Sequence, residues 1–243
     1  MQESNDERYQ TYPYRIQTQQ TLASDKILKK IEKTPGFLNL FWTSHEAHFH
    51  LDGKTNSTTN VFWRSFRPNE VATNPLYSIK CKMWAAFSAR GIIGLIFIEE
   101  FGAAVTVNKE QCVEVLKSFK SEIQTFYPSL MSKLWFQQDG TSSHTSYLFL
   151  DWLKENFGGF VISLKTDFEW IPQSPDLSHP DFFLWGYLND RVYAENPRTI
   201  KELKKVIMEE MRIIPHSVCK NVIDNFVLRF KKFTELNGSY ILQ

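Results

Sequence analysis

Two aspartates and a group of histidines are the residues whose types and spacing could do chemistry. Asp139 follows the apolar run Leu134-Trp-Phe-Gln-Gln138 and precedes Gly140. A carboxylate directly after a buried strand lies on the open edge of an α/β sheet, where ligands and metals are held; an Asp there can equally cap the following turn or helix. Asp181 comes 42 positions later, after Ser174-Pro-Asp-Leu-Ser-His-Pro180, near a helix start where its charge also suits the helix dipole. His45, Glu46, His48 and His50 make the third group. On a strand Glu46, His48 and His50 share one face and His45 points the other way. The helical zinc motif H-E-x-x-H needs histidines four apart, and position 49 is Phe. Packed or solvated histidines are the plain reading of this group, with a dedicated zinc site as the rival.

These residues need elements to position them. Phe37–Trp42 and Ala47–Leu51 read as strands, the second stopped by the hairpin signal Asp52-Gly53, with Val61–Ser65 as its return strand. Ser78–Phe87 and Gly91–Glu99 form another pair, broken at Ala89-Arg90-Gly91. The second half alternates. A helix over Asn108–Phe126 leads to a short buried strand at Leu134–Gln138, and Phe149, Trp152, Leu153 and Phe157 then recur at helical spacing before Gly158-Gly159. A strand at Phe160–Leu164 and a helix from Pro180 to Val192 follow. Meander strands, then strand, helix, strand, helix describe a mixed α/β sheet with helical cover.

Two tail helices complete the pattern. Thr199 and Glu202 form a capping box for the stripe Ile200, Leu203, Ile207, Met211. The second helix, from Ser217 to Asn237-Gly238, carries Val222, Ile223, Phe226, Phe230 and Phe233. From Pro197 onward nine Lys+Arg face five Asp+Glu, which reads as a solvated basic helical face, with a phosphate-contacting face as the alternative. Three regions are expected: a polar arm or linker at 1–35, a core at 36–195, and C-terminal helices at 196–243 packed on that core. Trp63, Trp84, Trp135, Trp152 and Trp185 sit on strands and apolar helical faces, so they read as core rather than base-stacking platforms. His144 reads as a helix-start residue that could approach the edge beside Asp139.

Composition closes off several classes. The 243 residues are 42% hydrophobic and 15% aromatic, far from a disordered chain. No run approaches the roughly 20 apolar residues of a membrane span, and the start Met1-Gln-Glu-Ser-Asn-Asp-Glu7 has neither the basic nor the apolar part of a signal peptide. The expectation is an intracellular protein with no membrane partner. Cys81, Cys112 and Cys219 are too few and too dispersed for a disulfide scaffold and read as buried thiols. With 28 Lys+Arg against 27 Asp+Glu, any nucleic-acid affinity must come from local asymmetry.

Three blocks carry a resemblance. Trp135-Phe-Gln-Gln-Asp-Gly-Thr-Ser-Ser-His-Thr145 and the segment Trp170–Gly186, with Ser174-Pro-Asp-Leu177 and Asp181-Phe-Phe-Leu-Trp185, resemble the two C-terminal signature blocks of mariner-like transposases of the DDE/DDD superfamily. Glu46-Ala-His-Phe-His-Leu51 resembles the first block, and the similarity runs from about Tyr12 to the end, through Trp84, Arg191-Val-Tyr-Ala194 and Pro197–Leu203. The resemblance implies a ribonuclease H-like fold and metal-dependent DNA strand cleavage and transfer, with Mg²⁺ or Mn²⁺ held by three acidic residues. Such chemistry uses two hard cations roughly 3.5 to 4 Å apart, and hard cations take carboxylate oxygens. Asp139 would be the second acid and Asp181 the third, with Asp176 a structural turn residue.

At the first acidic position this sequence has His45. One negative charge is lost from a site meant to hold two dications, and an imidazole nitrogen suits zinc or manganese better than magnesium. Glu46 is a poor substitute, because neighbouring side chains on a strand point to opposite faces and the family already carries Glu there beside its Asp. Impaired magnesium-dependent catalysis is therefore expected. His179 stands where the family has proline, and the stretch between Leu28 and Phe37 is short for the family. The helix-turn-helix modules that precede such a core are not in this sequence, which implies weak or non-specific DNA binding. The resemblance also implies a possible homodimer and a nuclear location. The alternative is a non-catalytic DNA-binding or protein-interaction module that keeps the fold.

Overall fold

The computed structural model describes residues 21–53, 79–100, 103–104, 109–157, 160–171, 174, 177–238 and 241. In chain order its elements are α1 (21–33), the single turn α2 (Phe37–Leu40), β1 (Phe41–His50), β2 (Lys80–Ser88), β3 (Gly91–Phe97) and the two-residue strands β4 (Glu99–Glu100) and β5 (Ala103–Ala104). Then come α3 (Lys109–Phe126), β6 (Trp135–Gln137), α4 (Tyr147–Phe157), β7 (Val161–Ile162), a π-helical turn Pro180–Leu184 that runs into α5 (Trp185–Ala194), α6 (Ile200–Arg212) and α7 (His216–Glu235).

The main sheet has the order β3-β2-β1-β6-β7. β1 pairs antiparallel with β2, from Trp42↔Ser88 to His50↔Lys80, and parallel with β6, from Phe41↔Trp135 to Thr43↔Gln137. β2 and β3 form the expected hairpin, and β7 extends the parallel half. This is the mixed, helix-flanked sheet of the ribonuclease H-like class. One expectation is corrected here. β1 is a single strand of ten residues rather than the two strands Phe37–Trp42 and Ala47–Leu51, and its first apolar residues, Phe37–Leu40, coil into a helical turn after Gly36 at φ 73°. The polar stretch Thr43–Glu46 looks like a break in hydrophobicity, yet it pairs along β2, and Thr43 pairs with β6 as well. The return strand expected at Val61–Ser65, the Gly158-Gly159 stop, Trp63 and Asp176 lie outside the described residues, and the described antiparallel partner of β1 is β2.

Alternation along the strands sends side chains to two cores. On one face Trp42, Trp84, Ala86 and Phe136 pack with Leu116 and Phe119 of α3 and Leu153 and Phe157 of α4. On the other, Phe49, Met83 and Phe87 meet Trp185 and Leu188 of α5, Leu203 and Ile207 of α6 and Ile223 of α7. Phe41 and Trp135 extend that second face, where Phe226 and Phe230 of α7 and Ile27 of α1 cover them. Trp84, Trp135 and Trp185 are thus buried core residues. The three cysteines are buried free thiols. Among the described residues no helix is long and apolar enough to cross a membrane. At the start of α6, Thr199 Oγ1 accepts from the Glu202 amide at 3.1 Å, while Glu202 reaches back to the Arg198 amide at 2.8 Å.

His179 lies wholly inside the second core. Its ring stacks on Phe87 with 11° between planes and touches Phe226 at 4.4 Å between centroids, with Phe41 and Phe182 beside it. Neither ring nitrogen meets a hydrogen-bond partner among the described residues. Burial, helped by the Arg229 charge, pushes its pKa down to about 3. The folded chain therefore keeps this imidazole neutral where the unfolded chain takes up a proton, and its contribution to stability falls as pH drops from about 6.5 toward 3. His179→Phe is expected to stabilise the fold by about 1–3 kcal/mol at neutral pH, the usual penalty of an orphaned polar group, and to flatten the acid limb of stability. Urea denaturation at pH 5 and pH 7.5 checks both effects.

Candidate active site

Parallel pairing of β1 with β6 decides where the sequence-derived residues meet. Thr43 is opposite Gln137, so two residues farther along each chain His45 comes beside Asp139 as β6 ends and opens into the Asp139-Gly140 turn. The π turn before α5 delivers Asp181 to the same place from the next layer. His45 Nε2 lies 3.6 Å from Asp139 Oδ2 and 3.6 Å from Asp181 Oδ2. The three positions thus gather at one edge of the sheet, with the imidazole wedged between the carboxylates. Asp181 is the most enclosed of them, its side chain 9% exposed against 27% for Asp139.

The other nitrogen of His45 sets its chemistry. Trp185 Nε1 donates to His45 Nδ1 at 3.3 Å. A ring that accepts at Nδ1 carries its hydrogen on Nε2, so it presents the carboxylates with an N–H rather than a lone pair. A metal-bound histidine has the reverse arrangement, with one nitrogen on the metal and the other donating outward.

Asp139 also reaches the opposite face of the sheet. Its Oδ1 accepts from His144 Nδ1 at 2.6 Å and from the Thr141 amide at 3.3 Å. His144 Nε2 lies 3.2 Å from Glu46 Oε1, and Lys82 Nζ donates to Glu46 Oε2 at 2.8 Å. Burial alone would lower the His144 pKa, but hydrogen bonds to Asp139, Cys112 and Glu46 raise it to about 11. Burial would likewise raise Asp139, yet the His144 hydrogen bond and the neighbouring His45 and His144 rings bring it down to about 2. Against the same burial cost, His144 and then Lys82 bring Glu46 to about 2. His144 is therefore more than a helix-start residue: it is 3% exposed, sits in the 3-10 turn before α4, and bridges the two acids. Cys112 and Lys82 had no signal in the sequence, since neither lies in a block that marks chemistry. The rival zinc site of β1 histidines is not among the ligand groupings of the described residues, where Glu46 meets Cys112 and His144 instead. His48 Nδ1 is without a hydrogen-bond partner among the described residues, and burial with Lys80 and Lys82 nearby lowers the His48 pKa to about 4.

The donor set does not fit a pair of magnesium ions. Two carboxylates converge where the two-cation chemistry calls for more, one of them already has an oxygen committed to His144, and the third position offers an N–H. One divalent cation on Asp139 and Asp181 fits the charge better, and manganese tolerates an imidazole beside them if the His45 ring reverses its tautomer.

No family model matches this chain, and no curated protein does. Solved structures do. The chain superposes on the Mos1 mariner paired-end complex with Mn at a TM-score of 0.73 and 18% identity, covering 94% of this chain and 64% of that one. The Mos1 transposase catalytic domain with raltegravir and Mg gives 0.72 and 18%, covering 94% of this chain and 98% of that domain. The fold is that of a mariner transposase catalytic domain. The Mos1 strand transfer complex matches at 0.70 and 16% identity. This chain spans 64% of the length of the Mos1 chain in the paired-end complex, and the mariner catalytic domain accounts for nearly all of what is shared.

Proposed function

We propose that this chain is a transposase-derived DNA strand-cleavage and transfer domain whose magnesium-dependent activity is impaired by His45. The single observation that supports the reading is the meeting of His45, Asp139 and Asp181 at one sheet edge, with the His45 N–H standing between the two acids. The similar Mos1 structures include paired-end and strand transfer complexes and forms with Mn or Mg, and DNA and a divalent cation are proposed here by that likeness. Nuclear action and dimerisation on DNA belong to the same proposal.

A divalent cation in such a site activates the attacking oxygen and stabilises the leaving one. In this chain Asp139 and Asp181 would hold it, His144 and the Thr141 amide would fix the angle of Asp139, and Trp185 would hold His45 in the tautomer that competes. Plasmid nicking tests the reading. With Mg²⁺ the unmodified chain is expected to stay near background, and with Mn²⁺ to nick slowly; Asp139→Ala should remove the nicking altogether. Vigorous Mg²⁺ cleavage by the unmodified chain, or Mn²⁺ nicking that survives Asp139→Ala, would overturn it. DNA retention without nicking under either metal would favour the non-catalytic module instead.

A further inference from the structure

We propose a second metal site in this molecule, a zinc site made by Glu46, Cys112 and His144 on the α3 side of the sheet. One donor atom from each of the three residues lies within 4.8 Å of the others. Glu46 comes from the middle of β1, Cys112 from the first turn of α3, and His144 from the 3-10 turn before α4, so three separate elements converge on one point.

Two of the three donors already stand at the spacing of ligands around a small ion. Zinc bonds of about 2.0 Å to nitrogen and oxygen place tetrahedral neighbours about 3.3 Å apart. His144 Nε2 and Glu46 Oε1 are 3.2 Å apart. Zinc to sulfur is about 2.3 Å, which puts a tetrahedral sulfur about 3.5 Å from its neighbours, so Cys112 Sγ, within 4.8 Å of the other two donors, closes by at most about 1.3 Å, within the reach of a rotamer adjustment at the end of a helix.

The outer contacts match what zinc ligands require. Metal-bound histidines donate their second ring N–H to a carboxylate, and such partners matter nearly as much as the ligands. His144 Nδ1 donates to Asp139 Oδ1 at 2.6 Å, which leaves Nε2 as the nitrogen facing Glu46. Lys82 holds the other oxygen of Glu46, and Phe149 stacks on the His144 ring at 5.3 Å, fixing its plane. Cys112 and His144 are 4% and 3% exposed, so little water competes for them.

Ligand softness names the metal. A thiolate, an imidazole and one carboxylate favour zinc over magnesium or manganese. Binding displaces the thiol proton and the Nε2 proton, and the Cys112 thiolate and Glu46 carboxylate then balance the two charges of the ion. The two sites share no ligand and meet only through the His144–Asp139 hydrogen bond, so Cys112 reports on the zinc site alone and Asp181 on the other.

Cobalt replaces zinc with a visible signature. The full chain titrated with Co²⁺ should show a thiolate-to-cobalt charge-transfer band in the near ultraviolet at one equivalent, and Zn²⁺ should abolish it. Cys112→Ser should eliminate the band, Glu46→Gln should weaken metal affinity at least about tenfold, and Asp181→Ala should leave the band unchanged. Zinc X-ray absorption on the unmodified chain gives a readout that needs no variant to fold: one sulfur at about 2.3 Å is expected. No band, a band that survives Cys112→Ser, or a zinc shell without sulfur would each overturn the site.

Discussion

His45→Asp is expected to raise Mg²⁺-dependent DNA nicking by at least about a hundredfold. The substitution removes an N–H that points at two carboxylates from 3.6 Å and puts a third carboxylate in its place. A two-cation site deprived of one acid loses several powers of ten in rate, roughly 4 kcal/mol in barrier, and restoring it should recover a good part of that. The cost to the fold is small, since Trp185 Nε1 gives up a 3.3 Å hydrogen bond worth about 1 kcal/mol. His45→Ala separates the two causes. It clears the wedge without adding charge, so Mn²⁺ nicking should rise while Mg²⁺ nicking stays low. If His45→Asp folds normally and Mg²⁺ activity does not move, the missing charge is not what limits this site.

Which parts of this arrangement could be read from sequence follows from the range of the contacts involved. Asp139 and Asp181 were legible because each carries a local mark: an apolar run ending in acid and glycine for one, a proline-punctuated helix start for the other. The meeting of the two with His45 depends on β1 lying parallel to β6, a pairing across a long stretch of chain that no local pattern encodes. The same holds on the other face. Cys112 looks like any apolar position of α3, and its closeness to Glu46 comes only from α3 packing across β1 and β2. β1 itself was split in two by its polar centre, because periodicity reports burial, and Thr43–Glu46 is buried or half-buried by neighbouring strands and polar partners rather than by apolar ones. The class of fold was easier, since the succession of strand and helix restricts connections strongly.

Gly94→Ala is expected to be the most destabilising single methyl addition near the site, costing about 3–4 kcal/mol. β3 carries one extra residue opposite β2: Ala86 pairs with Ile93 and Trp84 with Ile96, so Gly94 and Leu95 together face Ala85. Gly94 takes φ 99° in that bulge, and the Trp84 ring occupies the space where a side chain would go. A Cβ there would come within 2.8 Å of Trp84 Cε3 and closer still to Cζ3. The indole has little room to move, because it is 2% exposed and packs edge-on against Phe119 at 5.7 Å in the α3 core. Overpacking of this kind costs about 1–3 kcal/mol, and a side chain at positive φ adds about 1 kcal/mol. Trp84 is also the register partner of Glu46, so its displacement would disturb the strand that carries Glu46 and His45. Gly36→Ala provides the comparison: φ is 73° but, chain neighbours aside, no atom of the described residues lies within 4 Å of the new Cβ, so only the conformational cost of about 1 kcal/mol remains. In thermal melts Gly94→Ala should fall by roughly 6–16 °C and Gly36→Ala by about 2–4 °C. Equal losses in the two variants would mean that the backbone angle alone, and not the contact with Trp84, demands glycine in this bulge.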